Sequence, residues 1–225
     1  MLFRSLVGEV HARYDREEFC RRNDLDPSRP IVALLPGSRH KELIRILPPM
    51  LGASLVISKQ RPDIQFVVVV APNRDPKEAH EIIRGDAYDS LSKNSLRVLH
   101  HETREAVAAA DTAAVASGTA TLEAALLGTP QVIVYKESFL NWHILGRLIT
   151  AEHYGLVNLI AGQRLATELI QNDLNAEALA RELLALLDPI SNRSMREQLH
   201  EVAGKLGEPG ASRRAAQAIL QFISG

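Results

Sequence analysis

The chain is 225 residues long and has one cysteine, Cys20, so no disulfide can close within it. That scarcity fits a reducing compartment, and neither a cross-linking nor a nucleophilic role is expected of this cysteine. Aromatic residues are also few, at 4%, and the charges nearly cancel, with 26 Lys and Arg against 27 Asp and Glu. No segment gathers a basic stripe with interleaved aromatics, which argues against a nucleic-acid partner. No run approaches the roughly 20 consecutive apolar residues that span a bilayer, and the N-terminus lacks a long apolar segment of the secretory kind. The expected state is soluble or peripherally bound. The eight histidines, His100 and His101 included, form no HExxH pattern and have no cysteine pairs beside them, so no metal site is expected.

Against these absences stands a hydrophobic content of 46%, enough for a substantial core. Apolar, β-rich runs recur at Ile31–Leu35, Ile64–Ala71, Leu96–His100, Thr112–Ala116 and Gln131–Tyr135, with helix-forming segments between them. Such alternation predicts an α/β fold, a Rossmann-like parallel sheet with helices on both faces. The helices are expected over Glu42–Gln60, broken or kinked by Pro48 and Pro49, from Asp75-Pro76 onward, over Thr103–Ala110, and over Thr119–Leu127 with Gly128 as a left-handed cap. An apolar helix follows at Phe139–Thr150, then a loop through Asn158–Gly162, then amphipathic helices over Asp173–Leu187, Ser191–Gly204 and Pro209–Ile223. Residues 1–28 carry a short helix, Arg13–Asn23, but no strand or turn of interest, and read as an interdomain connector ahead of one domain at 29–225. In open α/β sheets ligands bind beyond the carboxyl ends of the strands, where Gly37–Arg39, Leu99–Glu102, Ser117–Thr119 and Tyr135–Glu137 would converge.

Two of those turns have the composition of anion sites. Ala116-Ser117-Gly118-Thr119-Ala120 runs from strand into helix; its small residues let an anion reach backbone N–H groups, and the helix N-terminus adds its positive end. Thr119 adds a hydroxyl, and Glu123, about one turn further on, faces the same way and suits ribose hydroxyls. The same residues also fit a plain helix start, with Ser117 or Thr119 as cap and Glu123 completing the first turn. The second turn, Pro36-Gly37-Ser38-Arg39, shifts the balance. Gly37 permits tight backbone geometry, Ser38 caps or donates, and Arg39 supplies a fork of donors matched to phosphate. A dehydrogenase-type site would need GxGxxG after the first strand, and PGSRHKE does not supply it.

With LLPGSR at 34–39, AADTAAVASGTATLEAALLGTPQVIVY at 109–135 and LVNLIAG at 156–162, residues 7 to 224 resemble the C-terminal half of the lipid-A-disaccharide synthase family. That resemblance implies a GT-B glycosyltransferase, whose two Rossmann-like domains face each other across a cleft, with the C-terminal half plus its terminal helices holding the donor. It implies hexosyl transfer from UDP-2,3-diacylglucosamine to 2,3-diacylglucosamine 1-phosphate with inversion, a cytoplasmic location with contact at the inner membrane face, and no cofactor. Gly37, Ser38 and Arg39 would approach the diphosphate, with Arg39 stabilising the departing UDP. Ser117, Gly118, Thr119 and Ala120 would cradle phosphate, Glu123 would bind ribose, Leu99–Glu102 would border the uracil, and Asn158 would lie near the diphosphate or sugar.

The general base would reside in the acceptor-binding half, which these residues do not include; Asp111 is read instead as a link between the third helix and fourth strand. One departure from the family pattern is Thr167, where proline usually precedes the acidic residue. The partners implied are that other half, a membrane surface and a second copy of the chain. Phe139, Leu140, Trp142, Ile144, Leu145, Leu148 and Ile149, with Lys136 and Arg147, form an apolar stretch suited either to core packing or to acyl chains and interdomain contact. Two other functions compete: another UDP-N-acetylglucosamine-using GT-B enzyme, and a nucleotide-binding or interaction module without catalysis.

Overall fold

The computed structural model describes residues 4–84, 88, 91, 95–137 and 153–224. Six parallel strands make one sheet: β1 (Ile31–Leu35), β2 (Gln65–Val70), β3 (Leu96–His100), β4 (Thr112–Ala116), β5 (Gln131–Tyr135) and β6 (Glu168–Ile170). Their order is β3-β2-β1-β4-β5-β6, the doubly wound arrangement whose direction of travel reverses between β1 and β4. The helices are α1 (Arg16–Arg22), α2 (His40–Gln60), α3 (Pro76–Ile83), α4 (Thr103–Ala109), α5 (Thr119–Leu126), α6 (Leu156–Ala161), α7 (Ala176–Leu186), α8 (Pro189–Lys205) and α9 (Ala211–Ser224). The predicted parallel α/β sheet is borne out.

The central strands β1, β2, β4 and β5 are largely apolar because both faces are covered, whereas β3 carries Arg97 and His100 and is mostly half-buried. Val32 and Leu34 of β1, with Phe66, Val68 and Val70 of β2, pack under α2 and α7, while Ile31, Ala33, Leu35, Val67 and Val69 meet α4 on the other face. The segment read as a connector contributes to this second layer: Phe19 and Cys20 of α1 are fully buried there, and Arg13 binds the buried Glu105 carboxylate of α4.

Helix α2 runs unbroken across Pro48 and Pro49, where a break or kink was expected. Each proline removes one backbone hydrogen bond and costs ~3 kcal/mol or more in a helix interior. Leu43, Ile46, Leu47, Met50, Leu51 and Ile57 are essentially fully buried on the same helix, at about 1.5–3 kcal/mol each. Burial therefore outweighs the two lost bonds. Gly128, with φ +71, ends α5 as expected.

Two expectations are corrected beyond β5. The stretch through Asn158–Gly162 is not a loop: Leu156–Ala161 forms α6, closed by Gly162 at φ +73. Strand β6 was not expected, since three residues carry no readable periodicity and pairing with β5 alone defines it. Helix α8 packs on α5 and α6, and α9 leaves Ile219, Phe222 and Ile223 exposed. The apolar helix expected over Phe139–Thr150 lies outside the described residues. Among the described residues no helix is long and apolar enough to cross a membrane.

Candidate functional site

A cavity of about 610 Å³ opens at the carboxyl ends of β1, β2 and β4, at the point where the strand order reverses. Its walls bring together Gly37, Ser38 and Arg39 from the turn after β1 and Ser117, Gly118, Thr119, Ala120 and Glu123 from the turn after β4. The two turns singled out in the sequence thus face one space. Larger scale geometry explains this: parallel strands place every strand-to-helix turn on the same edge.

The first turn is built around Glu42, which sequence reasoning passed over. Its Oε2 accepts from Ser38 N at 2.9 Å and Arg39 N at 3.1 Å, and its Oε1 accepts from Arg39 Nη1 at 2.7 Å. Arg39 is the N-cap residue of α2 and Glu42 its third residue, so the carboxylate reaches back to the orphan N–H groups. Ser38, for which capping or donation to an oxygen was expected, does not cap α2, since Arg39 holds that position. Gly37 has φ +111, and a Cβ there would lie 2.4 Å from Glu42 Oε2, so glycine is required for both conformation and space. The Arg39 side chain remains 81% exposed beside the cavity, and its hydrogen bond to Glu42, followed by the coulombic attraction, raises its pKa further above an already high value. It carries full positive charge.

The hydrogen bonds of the second turn bear on the capping alternative. Gly118 is the N-cap of α5 and no side chain caps that helix. Ser117 Oγ instead donates to the Tyr154 carbonyl at 2.6 Å, and Thr121 Oγ1 donates to the Gly118 carbonyl at 2.8 Å. Thr121 N donates to the Gly118 carbonyl at 3.2 Å, whereas Thr119 and Ala120, which line the cavity, have N–H groups without a partner among the described residues. Glu123 is not part of a capping box; it accepts from Arg104 Nη2 at 3.5 Å, and both line the same cavity. Arg104 was invisible to pattern reading because it stands 19 residues from its partner.

Other expected residues fall elsewhere. Asn158, expected near the diphosphate or sugar, is fully buried away from the cavity wall. Its Nδ2 donates to the Ala166 carbonyl and to Glu168 Oε1, each at 2.8 Å, and its Oδ1 accepts from Ala166 N at 2.8 Å. These bonds tie α6 to β6 and to the residues just before it. Asp111 lies at the opposite edge of the sheet, where Oδ2 accepts from Ile31 N at 2.8 Å and Arg16 Nη1 at 3.0 Å, as a link between elements. At the end of β5, Glu137 pairs with Arg45. The cavity is bordered after β3 by Thr103 and Arg104 rather than by Leu99–Glu102. Among the described residues no three His, Cys, Asp or Glu side chains cluster to hold a metal ion.

Solved structures share this arrangement. A glycosyltransferase from Rickettsia africae ESF-5 superposes with a TM-score of 0.57 at 13% identity, over 92% of this chain and 52% of that one. Sucrose-phosphate synthase from Thermosynechococcus elongatus gives 0.57 at 15% identity, over 96% and 52%. A co-structure of S. aureus MnaA with UDP gives 0.59 at 12% identity, over 94% and 49%. The fold is that of one half of a GT-B glycosyltransferase.

Residues 4–222 match the family described as lipid-A-disaccharide synthetase. The lipid-A-disaccharide synthase of Syntrophus aciditrophicus (strain SB) is 42% identical over 219 residues, 97% of this chain and 56% of that protein. That of Myxococcus xanthus (strain DK1622) is 36% identical over 219 residues, again 97% and 56%. The chain belongs to the lipid-A-disaccharide synthase family, and it spans about half the length of the curated relatives it matches.

Proposed function

We propose that this chain is the donor-binding half of a lipid-A-disaccharide synthase, taking UDP-2,3-diacylglucosamine and delivering its sugar to 2,3-diacylglucosamine 1-phosphate. The observation that carries this reading is the uncapped start of α5 sharing one cavity with the Arg39 guanidinium. A diphosphate placed between them meets backbone N–H donors, a helix N-terminus and a charged fork. The S. aureus MnaA structure sharing this fold holds UDP, which supports the choice of nucleotide.

As the anomeric C–O bond breaks, negative charge grows on the departing UDP. Arg39 and the Gly118–Ala120 backbone, with Ser38, Thr119 and Gly37 shaping the pocket, stabilise that charge without reorganising. Glu123 accepts from the ribose hydroxyls, held in orientation by Arg104. The acceptor hydroxyl attacks the face opposite UDP and inverts the anomeric carbon, and its proton passes to a base on the acceptor-binding half. The partners are that half and the acylated donor, at the cytoplasmic face of the membrane.

Calorimetric titration with UDP tests the reading. Saturable binding that is lost in folded Arg39→Ala and Glu123→Ala variants supports it. Full binding by both variants, or none by the folded wild type, removes it.

A further inference from the structure

The hydroxyl of the second turn is held from outside that turn. Ser117 Oγ donates to the Tyr154 carbonyl at 2.6 Å, and Tyr154 is in turn held by Glu168 on β6. Glu168 Oε1 accepts from Tyr154 N at 3.1 Å, Gly155 N at 2.9 Å and Asn158 Nδ2 at 2.8 Å, while Oε2 also accepts from Tyr154 N at 3.1 Å. Glu168 is 8% exposed. A carboxylate at such depth persists only where donors replace its water, and here two backbone N–H groups and one buried amide do so. Close approach is part of the design: a Cβ on Gly155 would fall 2.2 Å from Ile133 Cδ1 and 3.4 Å from Glu168 Oε1.

We propose that Glu168 is a positioning residue for the phosphate turn. Through Tyr154 it holds the Ser117 side chain in one rotamer, with Oγ 2.6 Å from the Tyr154 carbonyl rather than turned toward the start of α5. The Thr119 and Ala120 N–H groups at the start of α5 are thereby left for the ligand. Because hydroxyl rotation is otherwise cheap, a fixed acceptor is what decides between a capped helix start and an anion site. Asn158 acts with Glu168 by supplying one of its donors. The inference rests on the reading of this turn as the diphosphate site.

The test compares wild type, Glu168→Gln, Ser117→Ala and the double variant by UDP titration, and follows amide exchange in the first two. Glutamine keeps the size and one acceptor oxygen but sets an NH₂ group against the Tyr154 N–H. Glu168→Gln is expected to weaken UDP binding by about tenfold. The double variant is expected to bind within about twofold of Ser117→Ala alone, because both changes act through one link. Exchange is expected to accelerate at the Ser117 and Thr121 amides, which donate to the Val134 and Gly118 carbonyls, and to stay unchanged at Ala33 and Leu34 in β1. Additive losses, or exchange that is unchanged at the turn or rises equally in β1, overturn the proposal. If wild type fails to bind UDP, the diphosphate reading fails, and the exchange comparison still decides whether Glu168 governs the turn.

Discussion

Glu42 accepts two bonds from Arg39, one from its backbone N–H at 3.1 Å and one from its guanidinium at 2.7 Å. One carboxylate therefore fixes both the start of α2 and the direction of the cation beside the cavity.

That pairing separates binding from folding at Arg39. Its side chain is 81% exposed, so Arg39→Ala should leave the melting temperature nearly unchanged, since exposed ion pairs contribute little. UDP affinity should fall by about tenfold or more, as expected for a charge-assisted phosphate contact. Arg39→Lys should restore only part of it, because an ammonium lacks the planar fork. Titration of both variants beside a thermal scan checks the separation.

Gly37 is where the same turn is intolerant. Gly37→Ala places a Cβ at φ +111 and against Glu42 Oε2, and should cost about 1–3 kcal/mol of stability. Urea denaturation measures the loss, and a midpoint equal to that of wild type would contradict the geometry.

Glu123 and Arg104 should read the nucleoside and not the phosphates. Glu123→Ala is expected to weaken UDP by roughly tenfold, the value of one or two hydrogen bonds to a charged acceptor, while inorganic pyrophosphate binds as to wild type. A parallel loss for pyrophosphate would move Glu123 from the ribose to the diphosphate.

Asn158 should behave as a structural residue. Asn158→Ala strips partners from Ala166 N, the Ala166 carbonyl and Glu168 Oε1. With the amide fully buried, the expected cost is about 2–4 kcal/mol, read as a lower urea midpoint.

The Arg13–Glu105 pair predicts an acid-side loss of stability. Burial pushes the Glu105 carboxyl up, but the hydrogen bond from Arg13, backbone donors and the Arg13 charge together hold it below its ordinary 4.5. A carboxylate with a depressed folded pKa stabilises the fold fully above its unfolded value and loses that contribution as the pH falls through the folded one. Arg13→Ala should therefore shrink the stability difference between neutral pH and the region below 4.5. Denaturation midpoints at a series of pH values make the comparison.

Much of the fold was legible because it is local. Ile31–Leu35, Leu96–His100, Thr112–Ala116 and Gln131–Tyr135 were read with the bounds they have, since each is a short run dominated by apolar residues and bounded by turn residues. Proline misled the reading of α2, where propensity is a short-range quantity and six buried side chains are not. Arginine at position 39 is outside the usual set of N-cap residues, so the box that Arg39 and Glu42 form carried no capping signal in the sequence, and the helix was read as starting at Glu42.

By itself the sequence determined the parallel sheet and the two small-residue turns at its carboxyl edge. Those follow from residue size, charge and period within a few positions of one another. Only the tertiary structure decided that Ser117 bonds Tyr154 instead of capping α5, that Arg104 stands by Glu123, and that Asn158 bonds Glu168 and Ala166. Each of those partners lies far along the chain. A hydroxyl, a guanidinium or an amide chooses among several energetically similar partners, and the packing of distant segments determines which is within reach.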